Sequence, residues 1–166
     1  ILKYFKFIKT FIIRTTMQNI RILNNKEIKQ ILNLAEKQWE AKLTPDYVFL
    51  KTEKGKIYVV NKSISKLDLG KLRINTVGMY FSEAKENEIR LSIEGSQIVG
   101  PKAKKNVLEL DEHEVKEWMQ GNDLEKEGNF PGFFIIKHKD DFLGCGKWRN
   151  DKVLNYIGKA RRVSVI

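Results

Sequence analysis

Few side chains in this 166-residue sequence are of the kinds that do covalent or metal chemistry, and they are scattered. Cys145 is the single cysteine, so it can form no intramolecular disulfide and no Cys-rich zinc site. It sits between Gly144 and Gly146 in an apolar run, where a small buried packing residue is expected rather than a nucleophile. His113 and His138 lie far apart and belong to no cluster with metal-ligand spacing. The neighbours Asp140 and Asp141 read as turn formers, not as a general acid–base pair. Gly144 and Gly146 are followed by no Gly-Lys-Ser/Thr and open no helix, so they are not a phosphate loop. A methyltransferase centre would need a doubly wound sheet with a Gly-rich loop after its first strand, and the sequence has neither the length nor that loop. The expectation is a protein without catalytic residues, cofactor or metal.

Charge is the stronger signal. The formal net charge is +10, which favours a polyanionic partner, either nucleic acid or an anionic membrane. The excess is uneven. From Lys137 to Ile166 eight Lys/Arg face three acids, whereas from Gly100 to Gly128 five lysines face eight acids. Such segregation predicts a surface with one basic face. Lys147, Arg149, Lys159, Arg161 and Arg162 are its candidates for phosphate contact, and Lys102, Lys104 and Lys105 are expected to join them in space. Trp148 lies between Lys147 and Arg149, a setting that suits stacking on an unpaired base or, equally, a half-buried barrel position. His138 adjoins the basic strand as a further candidate RNA contact, while His113 falls in an acidic helical turn and is expected to be exposed.

The elements that must position these residues are short. Phe133–Ile136, Phe142–Trp148 and Val153–Ile157 read as strands joined by turns at Asp140-Asp141 and Arg149–Lys152. Two glycines inside the middle strand predict a bend or a close backbone approach. Upstream, Val107–Leu110 reads as a strand, followed by a helix with Asp111 as cap, Glu114 three residues on, an apolar face of Val115, Trp118 and Met119, and Gly121 as its stop. In the first half, Met17–Leu23 reads as a strand. Asn24 or Asn25 caps a helix to about Trp39, with Ile28, Ile31, Leu32, Ala35 and Trp39 on one face. Two hairpins follow, over 47–60 and 78–93, with a helical turn over 63–69 between them. Glu94–Pro101, with two glycines and a proline, reads as a boundary. Two units of 70 to 80 residues would each be marginal alone, so a shared apolar interface is expected.

Residues 1–16 stand apart: nine apolar residues interrupted by four Lys/Arg, with no acid. The longest apolar run is far short of the roughly 20 residues of a membrane-spanning helix. Two readings stand. One is a basic amphipathic helix lying on a membrane or partner; the other is that the native chain begins at Met17. Removing the four Lys/Arg lowers +10 to +6, still basic.

Gly132, the apolar strand 133–136, the acidic turn and Leu143-Gly144-x-Gly146 with its basic neighbour together resemble the C-terminal half of a PUA domain, a small RNA-binding pseudobarrel. Residues 106–124 resemble that fold's opening strand, helix and Gly-containing loop. With Gly78, Phe81, Arg90, Leu91 and Ile93 ahead of them, the two halves are similar to the pre-PUA/PUA ribosome-biogenesis proteins, archaeal and eukaryotic factors associated with large-subunit pre-rRNA. The C-terminal part also resembles the PUA-type extension of some rRNA cytosine-C5 methyltransferases. The resemblance implies an α+β protein in which a small pre-PUA-like α+β domain, 17–95, is followed by a PUA-like β-pseudobarrel, 96–166. It implies a non-catalytic, cytoplasmic RNA-binding protein acting on pre-rRNA or rRNA in ribosome biogenesis, with ribosome-assembly or RNA-modification proteins as partners and no stable membrane association. An accessory subunit that positions RNA for an rRNA- or tRNA-methylating enzyme is the alternative. A membrane-surface protein held by residues 1–14 is the third reading.

Overall fold

The computed structural model describes residues 20–44, 46–62, 78–85, 87–128 and 130–164. The expected amphipathic segment, 1–16, and the expected helical turn, 63–69, lie outside the described residues. Of the strand expected over 17–23, Ile20–Ile22 is described as β1. Helix α1 (Asn25–Trp39) then opens on a reciprocal cap. The Asn24 side chain accepts from the Glu27 amide at 3.0 Å, and the Glu27 carboxylate accepts from the Asn24 amide at 3.1 Å, so two of the orphan donors at the helix start are met. The same carboxylate takes the Arg21 guanidinium of β1, and this contact holds the Glu27 acid down to about 2. The three- and four-residue spacing of Ile28, Ile31, Ala35 and Trp39 turns one face inward, with Trp39 fully buried.

The first sheet is a five-stranded antiparallel meander. Its members are β1, β2 (Tyr47–Thr52), β3 (Lys56–Asn61), β4 (Met79–Ala84) and β5 (Ile89–Leu91). The second sheet has five strands in the order β6-β8-β9-β10-β7: β6 (Val107–Glu109), β7 (Leu124–Glu125), β8 (Phe133–His138), β9 (Asp141–Arg149) and β10 (Lys152–Asn155). β6 runs parallel to β8, and the other pairs are antiparallel. Helix α3 (Glu112–Gln120) carries the expected Asp111–Glu114 capping box and stops at Gly121, whose φ of 92° suits a residue without a Cβ. The turn before β9 falls on Lys139-Asp140, so Asp141 already belongs to the strand. In β9 the pairing jumps from Ile135↔Cys145 to Lys137↔Phe142. Leu143 and Gly144 thus share one partner position, and Gly144 has φ +95°: the predicted bend is a bulge. Gly146 serves close approach instead, because an added Cβ would lie 2.8 Å from Val153 and 3.1 Å from Phe134.

β8 organises the interior through its period of two. Phe133 and Ile135 point into a core shared with α1 and the first sheet, alongside Trp39, Phe49, Phe81 and Leu91. Phe134 and Ile136 point the other way, into a second core with Trp118, Leu143 and Val153. The apolar interface that two marginal halves would need is therefore present, and it is continuous with the core of the first sheet.

Residues 94–101, expected as a boundary, are instead helix α2 (Ile93–Val99) and a 3-10 turn over Gly100–Lys102. Their glycines serve packing, not linkage. A Cβ on Gly95 would sit 2.0 Å from the Phe81 carbonyl oxygen of β4, and one on Gly100 would enter the Phe142 ring. The Ser92 hydroxyl caps α2 and donates to the Tyr80 carbonyl at 2.5 Å. Ser96 Oγ accepts from the Gly144 amide of β9 at 2.9 Å. A seven-residue helix thus touches both sheets at backbone distance. Gly95→Ala is expected to cost about 1–3 kcal/mol through overpacking. Denaturant unfolding followed by tryptophan fluorescence should show one transition at lower midpoint; an unchanged midpoint would mean that α2 does not hold the sheets at this distance.

Candidate nucleic-acid interface

The basic residues singled out from the sequence do not gather in one place. Lys102 and Lys104 line a groove with Glu36, Glu40 and Lys42 beside the end of α1. Lys105 adjoins them, paired to Glu40 at 3.2 Å. Lys147 reaches the first sheet, where its Nζ lies 2.8 Å from the Glu88 carboxylate and 4.9 Å from the Phe133 ring centre. Arg149 is exposed at the end of β9. Lys159 and Arg161 line a different cleft, between the sheets. The Arg162 side chain lies over Gly121 and donates from Nε to the Ile157 carbonyl at 3.2 Å. Lys102, Lys104, Arg149 and Lys159 carry no ion pair to any described residue.

The acidic and basic segments of the C-terminal half interleave. Because β6 runs beside β8, Glu109 stands directly across from Lys137, 3.6 Å apart. Because β7 runs beside β10, Glu125 stands across from Lys152, 3.3 Å apart. Lys139 meets Glu112 at 2.7 Å. Much of the local positive excess is met by neighbours rather than displayed as one face.

Trp148 is half-buried against the second core, and its indole N–H donates to the Lys126 carbonyl at 3.0 Å. The ring thus occupies a half-buried position in the second sheet. His138 is buried, with Nδ1 2.8 Å from the Leu110 carbonyl oxygen, so it is not presented to RNA. His113 is exposed, as expected.

Sequence reasoning missed the groups that the two sheets bring together. Tyr156, which follows β10, stands edge-on to Phe133 with ring centres 5.3 Å apart, and the Arg90 guanidinium lies 4.9 Å over its ring. Arg90 also pairs with Glu83. Tyr156 keeps 37% of its surface exposed. Beside it opens a cleft of about 500 Å³ whose lining includes Lys56, Tyr80, Glu94, Tyr156, Lys159 and Arg161. Burial pushes the Tyr80 hydroxyl up to about 12, so it stays a neutral hydrogen-bonding group. Glu94, nearly buried, pairs with Arg161. Aromatic rings set among cations, with a carboxylate inside, can stack on and hydrogen-bond a flat heterocycle while holding an attached anion at the rim. The sequence signal available was the Arg90-Leu-x-Ile motif; Lys56 and Tyr80 carry none.

Residues 105–163 match the family model described as the methyltransferase RsmF PUA domain. Ribosomal RNA small subunit methyltransferase F of Aeromonas salmonicida is 35% identical over 90 residues, which cover 53% of this chain and 19% of the relative. The protein of the same name from Vibrio cholerae is 31% identical over 88 residues, 52% of this chain and 19% of the relative. That of Vibrio campbellii is 24% identical over 139 residues, 80% of this chain and 28% of the relative. The chain thus spans about a fifth of the length of the first of these relatives, and all three are bacterial.

Cys145 lies at the inner end of the cleft, buried in the shared core, and burial pushes its thiol up to about 12. A thiol so protonated is a poor nucleophile. Iodoacetamide at pH 8 is expected to leave Cys145 unmodified in the folded protein and to alkylate it in denaturant. Stoichiometric alkylation of the native state within minutes would show an accessible thiolate there.

Proposed function

We propose that this chain is an RNA-binding unit that positions rRNA for a methyltransferase centre lying outside these 166 residues. The observation that carries this reading is the match of residues 105–163 to an RsmF PUA domain. It covers the second sheet and the residues after it, with Arg149, Tyr156, Lys159 and Arg161. Arg149 and Lys159, without an ion pair to any described residue, supply phosphate contacts, and the tyrosines supply faces for unstacked bases. The chain contributes no catalytic residue of its own, acts in the cytoplasm and belongs to the wider process of ribosome biogenesis. The relatives are named for the small subunit, so small-subunit rRNA is the RNA class proposed, in place of the large-subunit RNA that the pre-PUA/PUA resemblance implies. The first sheet, in the position of a pre-PUA domain, provides further RNA surface through Lys56 and Arg90.

Among the described residues no helix is long and apolar enough to cross a membrane. The membrane-surface reading rests on residues 1–16 alone, and liposome flotation with and without them tests it.

A filter-binding titration against a small-subunit rRNA fragment should give an affinity that falls steeply with salt, by about 0.7 to 0.9 log units per log unit of salt for each phosphate contact. The double variant Arg149→Glu, Lys159→Glu alters exposed residues without ion pairs, so it is expected to keep the fold and to flatten that slope by one to two contacts. An unchanged slope removes both from the interface. Affinity for rRNA no better than for heparin would overturn the RNA-positioning role.

A further inference from the structure

We propose that the cleft between the two sheets is a pocket for one unpaired nucleobase of the bound RNA, and that Glu94 selects a base bearing an exocyclic amino group. The proposal rests on the RNA-binding reading and adds to it a place and a chemical preference. The cleft measures about 500 Å³, inside the range of about 300–1,000 Å³ usual for small-ligand sites. Its walls are largely apolar, with Met79, Leu91 and Ile93 from the first half of the chain and Ile157 from the second, so a flat heterocycle displaces weakly held water on entry.

Charge tells which occupant fits. Lys56 and Lys159 stand exposed at the lip, where the phosphates on either side of an inserted base would lie. Lys56 Nζ is 5.8 Å from the Tyr80 ring centre, so cation and ring act at one spot. Among the described residues the interior holds one charged pair. The Glu94 side chain is only 7% exposed, and its Oε1 accepts from Arg161. Arg161 neutralises the acid, which lets a carboxylate persist in an apolar cleft. Glu94 remains an acceptor that lines the space, and an ionised carboxylate can only accept. Adenine, cytosine and guanine offer it an amino N–H on their pairing edges. Uracil offers a single N–H flanked by two carbonyl oxygens, which a carboxylate repels. A matched base contact of this kind is worth roughly tenfold in affinity.

Fluorescence anisotropy of the whole chain with labelled RNA hexamers, C6 and U6, at one salt concentration tests this. C6 is expected to bind about tenfold tighter than U6. Glu94→Gln keeps an oxygen for Arg161 but adds an amide donor, and should abolish or reverse the preference. Gly158→Leu puts bulk at the lip, where an added Cβ meets nothing within 4 Å; it should keep the parent melting temperature and weaken C6 about tenfold. This variant carries the test if Glu94→Gln fails to fold. Free CMP, with one phosphate in place of the two that flank an inserted base, should bind far more weakly than C6. Equal affinity for C6 and U6, with no effect of either variant, would overturn the pocket while leaving RNA binding intact. CMP binding as tight as C6 would overturn the assignment to RNA. Binding to no RNA at all would overturn both readings.

Discussion

The structure depends on how closely α2 can lie between the two sheets. Gly95 lets the helix rest on the Phe81 carbonyl of β4, and Ser96 receives the Gly144 amide at the β9 bulge. Neither contact tolerates an added atom or a lost hydroxyl without moving a strand. A second clamp lies at the end of α1. There the Trp39 carbonyl, one of the orphan acceptors of a helix terminus, takes the Lys104 amide at 2.8 Å, and the Gln38 carbonyl takes the Asn106 amide group at 2.6 Å. The Gln38 side chain also pairs both ways with the Ile89 backbone, at 2.6 and 3.1 Å, meeting backbone groups of β5. Both clamps join residues far apart in the chain. Two small sheets, each marginal in size alone, are thereby joined through backbone groups as well as through the shared core.

Electrostatics follows from the same topology. The parallel pairing of β6 with β8 and the antiparallel pairing of β7 with β10 set acids of the 100–128 segment directly beside lysines of the 137–166 segment. Paired surface charges give little stability, but they cancel one another's field over a Debye length of roughly 8–10 Å. The net charge is then felt mainly where a cation has no ion pair to a described residue, with Lys102, Lys104, Arg149 and Lys159 among these. An RNA approaching such a surface meets separated points of attraction, and its path is fixed by which of them flank a place a base can enter.

What the sequence made legible was local. Caps at Asn24 and Asp111, the stop at Gly121, the two hairpins and the strand meander all follow from chemistry within a few residues. So did the burial of Trp39 and Cys145. What failed was distant pairing. Glycines at 95 and 100 beside a proline look the same whether they loosen a linker or admit a neighbour's backbone and ring, and only the position of β4 and Phe142 distinguishes the two. The segregation of charge along the chain was real, yet the sheet order that brings Glu109 to Lys137 and Glu125 to Lys152 turns it into pairing. The cleft drew on Lys56, Tyr80, Glu94 and Tyr156, which no spacing relates. The resemblance to a pre-PUA/PUA arrangement came nearest, since it pointed to Arg90, the residue that crosses from the first sheet to Tyr156.

The cleft and the clamps are not independent features. Its lining comes from β3, β4 and α2 on one side and from β9 and the residues after β10 on the other, so it exists only while the sheets are docked. Glu94 shows the coupling most directly. It belongs to the helix that fixes the spacing, and its partner Arg161 belongs to a second 3-10 turn, Lys159–Arg161, that lines the cleft. Separation of the sheets would break the ion pair between that nearly buried carboxylate and its cation. The pair therefore opposes opening from within, and the same carboxylate faces whatever enters. A base seated there would contact both halves at once, so the energy that holds the fold together and the energy that holds the ligand are carried by one set of atoms.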